Sequence, residues 1–230
     1  VALTIYDPQG QVISAGEYPL EPARGDVAGA AAPGSGSTAR NRGDLARVAG
    51  AAPADGVVQA TVPVRSPLLW DLDSPHLYRF EATLLAQGKE IDSVATYGGL
   101  RQIRVDAAPG CEPGSAPYSY VYLNDRPVYL VGILDQAYNP WGVYTYRALG
   151  PEDLPGSILS DLAIAKKLGY NLIRLHIKTN EPLWLYEAAK AGILVWDELP
   201  NFRGTAEGPG WARLERLHQV VHERDFNCPA

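Results

Sequence analysis

Methionine is absent from all 230 residues, position 1 included. A chain of this length ordinarily holds a few, so a piece of a longer chain is expected. No positively charged start leads into an apolar core, so a secretory signal is not expected in these residues. Cysteine is scarce as well. Cys111 and Cys228 are too few for a disulfide framework or a four-ligand zinc site, and the compartment stays open. No apolar run approaches the roughly 20 residues of a membrane helix, so no membrane partner is expected. Basic charge is not in excess: 20 Lys and Arg stand against 26 Asp and Glu, for a net charge of −6. That balance argues against a nucleic-acid partner, which would need a basic stripe. What remains is a globular composition, 46% hydrophobic, long enough for one large domain or two ordinary ones.

The opening "VALTIYDPQGQVISAG" alternates apolar and polar residues around Pro-Gln-Gly, a hairpin pattern. From Pro22 to Gly56 the composition turns to Ala, Gly, Pro, Ser, Arg and Asp with no aromatic. Such a segment buries too little to offset its ordering entropy and is expected to be a mobile insertion. Strand-like stretches resume at "VVQATVPV", "LYRFEATLLAQ", "EIDSVATYGG" and "LRQIRVD", with "AQGKEI" as a turn. They suggest an antiparallel sandwich over residues 1–107 with the insertion at 22–56, then an Ala/Gly/Pro linker at 108–117.

The rhythm changes over residues 118–230. "VYLVGILDQ" (Val128–Gln136) is a near-continuous apolar run, expected of a strand covered on both faces. "SILSDLAIAKKLG" follows as a helix with Ser157 as N-cap and Gly169 as stop. Then come the strand "NLIRLHIK", the helix "EPLWLYEAAKAG" closed by Gly192, the strand "ILVWDELP" and the helix "WARLERLHQVVHERD". The last carries Trp211, Leu214, Leu217 and Val221 on one stripe. Alternating strands and helices imply a parallel sheet with crossover connections. The 103 residues from Val128 suit three βα units, where a closed (β/α)8 barrel takes about 250 residues.

"NLIRLHIK" poses a problem of its own. Strand alternation would put Arg174, His176 and Lys178 on one face, opposite Leu175 and Ile177. Basic groups at the end of so apolar a strand need partners, because unpaired burial costs several kcal/mol.

Four segments in order resemble the glycoside hydrolase family 2 enzymes, the group of β-galactosidases, β-glucuronidases and β-mannosidases. "SPLLWDLDSPHLYRFEATLLAQGKEIDSVATYGGLRQIRV" is similar to that family's immunoglobulin-like domain. "YLNDRPVYLVGILDQAYNPWGVYT" resembles its barrel-entry strand. "AKKLGYNLIRLHIKTNEPLWLYEAAKAGILVWDELPN" resembles its "LG.N.IR…GILV..E.P" segment, and "ERDFNCPA" its "RD.NHPS". Together these cover most of Val57–Ala230. The implied fold is multidomain and truncated: an immunoglobulin-like β-sandwich, then the first three βα units of a (β/α)8 TIM barrel. Two departures stand out. Cys228 takes the place of the family's histidine, and the family's "SHYP" histidine falls about one residue after His176.

The implied parent activity is retaining hydrolysis of terminal β-linked sugars, which needs a nucleophilic carboxylate and an acid/base carboxyl about 5 Å apart. The resemblance puts both glutamates beyond Ala230, so no residue here is expected to be catalytic and the chain alone is expected to be inactive. No cofactor and no metal are implied. The partner is a carbohydrate substrate, with a homo-oligomer left open. Substrate-binding candidates gather at the strand ends, where barrel enzymes place their sites. They are Asp135, Arg174, His176, Lys178, Glu198 and Trp141. Each has a rival reading. Arg174 could pair structurally with Asp197 or Glu198, Lys178 could be solvated, Asp135 could cap a loop, and Trp141 and its neighbour Tyr144 could pack on their own scaffold. Asp197 and Glu198 fall on opposite faces, so one of them looks inward, with Glu198 favoured. "HQVVH" places His218 and His222 four apart, but Gln219 stands where a zinc protease needs glutamate, and a solvated helix face is expected. The rival for the whole chain is a non-catalytic carbohydrate-binding or scaffold protein with the same fold.

Overall fold

The structure, a computed structural model, describes residues 1–18, 60–112, 119–136, 138–139, 142–143, 156–200 and 209–230. The segment Pro22–Gly56, taken above as an insertion, lies outside these residues, and so do Trp141 and Tyr144. Contacts divide the chain into two compact units, Val1–Leu68 with Tyr78–Tyr97, and Leu69–Leu77 with Gly98–Ala230.

The first unit is β-rich and accords with a β-sandwich domain. Its strands are β1 (Ala2–Tyr6), β2 (Val12–Glu17), β3 (Tyr78–Ala86) and β4 (Lys89–Gly98), in the order β2-β1-β3-β4. The opening hairpin forms as its alternation predicts. Asp7 Oδ1 accepts from the amides of Gln9 and Gln11 and so rounds the turn. Gln87 and Gly88, both left-handed at φ 52° and 73°, make the two-residue turn between β3 and β4. Ile5 and Tyr78 are buried. The described part of "VVQATVPV", Ala60 to Val64, forms no strand; Pro63 in its middle has no amide to offer a ladder.

The second unit begins with β5 (Ile103–Ala107), β6 (Ser119–Leu123) and β7 (Arg126–Val128), a sheet in that order. Residues Ile103 to Ala107 pair in register with Leu123 to Ser119, so the strand expected to close the sandwich joins the chain that follows it. In the contact-defined division Gly98 opens the long segment of the second unit, so β5 and β6 fall in the same unit. Next come β8 (Gly132–Asp135) and two short strands, β9 (Tyr138–Asn139) and β10 (Gly142–Val143), which pair with each other. They are followed by α1 (Ile158–Lys167), β11 (Leu172–Leu175), α2 (Pro182–Ala191), β12 (Leu194–Asp197) and α3 (Pro209–Asp225).

The helix boundaries follow local chemistry. Ser157 caps α1 by accepting from the Ser160 amide at 3.1 Å, and Gly169 at φ 84° ends the turn after it. α2 starts on Pro182, whose missing amide costs nothing at that position, and stops at Gly192 in the left-handed region. A Cβ on Gly192 would lie 2.3 Å from Leu72 O, so close packing as well as φ requires glycine here.

β8, β11 and β12 form a parallel sheet in the order β12-β11-β8. One face is covered. Ile173 and Leu175 pack with Ile158, Leu162 and Ala165 of α1 and with Trp184, Leu185 and Ala188 of α2 in the main core. Near the start of the sheet Trp70, fully buried, packs with Leu123, Leu194 and Leu172 and donates its indole N–H to Ala189 O at 2.7 Å. Truncating such a tryptophan to alanine costs about 3–5 kcal/mol.

Two expectations need correction. "VYLVGILDQ" is not one strand covered on both faces, because β7 ends at Val128, β8 starts at Gly132, and Leu134 is 49% exposed. The α3 stripe is buried only at one end: Val221 is buried, but Trp211 is 49% exposed and bonds Glu215 along its own helix.

Candidate functional site

In a parallel sheet, residues in register share a face. Here Leu134, Arg174 and Trp196 align, and so do Asp135, Leu175 and Asp197 one step later on the opposite face. The second set lies on the helix-covered side with Ile173. The first lies on the other face, where Trp196 is 58% exposed.

On that open face the strand ends bring four side chains and one amide together. Arg174 donates through Nε and Nη2 to Glu198 Oε1 at 2.5 Å. Glu198 Oε2 accepts the Ile177 amide at 3.1 Å. Burial alone would raise the Glu198 carboxyl; the Ile177 amide, Arg174 and nearby His176 outweigh it and hold that carboxyl below its usual value. His176 Nδ1 stands 2.6 Å from Gln136 Nε2, and the His176 amide is anchored on Asp135 O at 2.8 Å. Of the rival partners weighed for Arg174, Glu198 takes it.

Lys178 does not join them. Ile177 has φ 48°, left-handed and rare for a β-branched residue, so the alternation of β11 breaks there. Lys178 ends buried, at 9% exposure, within electrostatic reach of Asp135, Glu181 and Asp197. Burial pulls its ammonium below the usual lysine value, and those three carboxylates oppose the shift. Solvation is excluded for it, and so is a shared face with Arg174 and His176.

Asp135, also expected among the binding groups, belongs to this second cluster. Its neighbours include Asp161, whose carboxyl is pushed up to about 6 by burial and then by Asp135. Asp197 is likewise raised to about 6, first by burial and then by Asp225, against the pull of Arg224 and Lys178. Arg224 fastens the cluster to α3, donating to Asn180 O at 2.8 Å and to Asp225 at 2.6 Å.

A cleft of about 610 Å³ runs beside β12 and α3, lined in part by Arg101, Trp196, Glu198, His222 and Cys228. His218 and His222 are exposed on α3, and among the described residues no group of three His, Cys, Asp or Glu side chains is arranged for a metal ion. Sequence reasoning named Gln136 only as a strand-end residue and passed over the Ile177 amide and Trp196. The register of "GILDQ" against "LIRLH" was the available signal for Gln136. No sequence pattern announces a left-handed isoleucine.

Comparison with known proteins fits this architecture. A family profile described as "Glycosyl hydrolases family 2" matches residues 27–101. A β-galactosidase of Photobacterium profundum is 28% identical over 187 residues, 76% of this chain and 16% of that protein. A putative β-glucuronidase of Formosa agariphila is 27% identical over 168 residues, 73% of this chain and 18% of the relative. The chain thus spans less than a fifth of the length of these relatives. Among solved structures, the β-glucuronidase of Parabacteroides merdae superposes with a TM-score of 0.67 at 18% identity, covering 100% of this chain and 23% of that one. At that identity the likeness speaks for the fold alone. The chain is thus similar to glycosyl hydrolases family 2 by a profile over residues 27–101 and by relatives along about three quarters of its length.

Proposed function

We propose that this chain supplies a sandwich domain and the first three βα units of a (β/α)8 barrel to a retaining glycoside hydrolase that removes terminal β-linked sugars. The observation that carries it is the polar cluster of Gln136, Arg174, His176 and Glu198 at the C-terminal ends of parallel strands, on the face the helices leave open. That is where barrel enzymes assemble their sites. The edge of β12 supports the barrel, since Val195 N donates to Ala230 O at 3.1 Å as a further parallel neighbour would require. The domain scheme of 1–107, 108–117 and 118–230 belongs to this proposal, with the sandwich immunoglobulin-like.

The cluster binds and orients a sugar and breaks no bond. Arg174 and the Ile177 amide keep Glu198 ionised and fixed, and His176 reaches sugar oxygens. Trp141 belongs to the proposed binding set as an aromatic ring able to stack on a sugar. Asp135 and Lys178 act from behind the sheet, holding the strand ends together. The resemblance puts the family's two catalytic glutamates beyond Ala230, so no residue of this cluster is proposed as catalytic.

Titrating the 230-residue chain with methyl β-D-galactoside and methyl β-D-glucuronide, followed by amide resonances, tests this. Shifts centred on Gln136, His176, Ile177 and Glu198 are expected, without turnover of aryl β-glycosides. Shifts confined to the first unit, or hydrolysis abolished by a substitution within this chain, would refute it.

A further inference from the structure

The contact between Gln136 and His176 constrains where the imidazole carries its proton. Gln136 meets Nδ1 with its carboxamide nitrogen, at 2.6 Å. That NH2 group can only donate, so Nδ1 must be a bare acceptor and the neutral ring must carry its proton on Nε2. The two residues follow β8 and β11, neighbouring strands in register, and the bond from His176 N to Asp135 O clamps their backbones together. The geometry is built into the sheet.

The surrounding donors are committed elsewhere. Arg174 Nε and Nη2 both serve Glu198 Oε1, and the Ile177 amide serves Oε2. Lys178 has turned to the opposite face. Among the described residues no hydrogen bond reaches His176 Nε2.

We propose that Gln136 is a positioning residue: it holds His176 as the Nε2–H tautomer, so that the ring offers a donor to an incoming acceptor oxygen. The ligand step, which rests on the carbohydrate function proposed above, concerns either a sugar hydroxyl or a sugar carboxylate. The tautomer itself does not depend on that function.

Long-range 1H–15N spectra of the ¹⁵N-histidine-labelled 230-residue chain at pH 8.5 read the tautomer of each of the four histidines, with His176→Gln identifying the resonance. The wild type is expected to have a bare Nδ1 and a protonated Nε2. Gln136→Glu replaces a donor with an acceptor, so the proton should move to Nδ1. Gln136→Leu should let the ring relax toward the tautomer mixture of free imidazole, and it serves where the glutamate variant fails to fold. An Nδ1–H wild type, or a tautomer unmoved in a folded variant, overturns the assignment. In the sugar arms, methyl β-D-galactoside and methyl β-D-glucuronide should shift the Nε2 proton, with binding weakened about fivefold in Gln136→Glu, the size expected for one hydrogen bond. A shift with both points to a hydroxyl, and a shift with the glucuronide alone points to the carboxylate. An Nε2–H tautomer that neither sugar perturbs supports the role of Gln136 and refutes sugar binding at this cluster.

Discussion

Asp197 gives the most searching test of the energetics. Its carboxyl is raised from 3.8 to about 6 in the folded chain, chiefly by burial. Asp161 is raised to the same value, again chiefly by burial. A raised carboxyl means that the folded state disfavours its charge. The cost is therefore full above pH 6 and disappears as pH falls through 6 toward 4. A shift of about 2 units is worth at most roughly 3 kcal/mol per group, and partial exposure screens it to about 1–2 kcal/mol. The second unit should thus be more stable at pH 5 than at pH 8. Asp197→Asn, which keeps the shape and removes the charge, should stabilise it by about 1 kcal/mol at pH 8 and by nothing at pH 4. Urea unfolding followed by tryptophan fluorescence is the assay, because the described tryptophans, at 70, 184, 196 and 211, belong to the second unit. A variant less stable than wild type at pH 8, with a deficit that persists at pH 5, would mean that the attraction of Lys178 and Arg224 outweighs desolvation, and would refute the reasoning.

Other perturbations test other links. Arg174→Lys, losing the planar fork that reaches Glu198 Oε1, should cost about 1–2 kcal/mol in urea unfolding, and the loss should vanish in a Glu198→Gln background. Gly192→Ala meets both a left-handed φ and the Leu72 carbonyl, so a loss of at least about 2 kcal/mol is expected; a smaller one would mean that the loop around Leu72 yields easily. Ile177→Gly relieves the strain at φ 48° while adding unfolded-state entropy, and should stay within about 1 kcal/mol of wild type. A large destabilisation there would show that the half-exposed Ile177 side chain has a packing role.

Much of the secondary structure was legible because its causes are local. The Ser157 cap, the glycine stops at 169 and 192, and the alternation on either side of Pro8-Gln9-Gly10 act within a few residues, so α1, α2 and the first hairpin emerge from the string of letters. The pairing of Arg174 with Glu198 was foreseeable too, since neighbouring parallel strands in register leave few other partners. Alternation failed at Lys178, because one left-handed residue reverses which side the chain presents, and nothing in "HIK" forecasts it. Asp135 went to the helix side for a related reason. Its face depends on register with Leu175, and register is set by how whole strands pair. The fate of β5 was likewise tertiary: an alternating strand suits either neighbour, and the ladder to β6 decided it. The sequence by itself determined most of the elements and their order; tertiary structure decided which charges meet, because ion pairs and burial depend on distances between segments that local preferences do not specify.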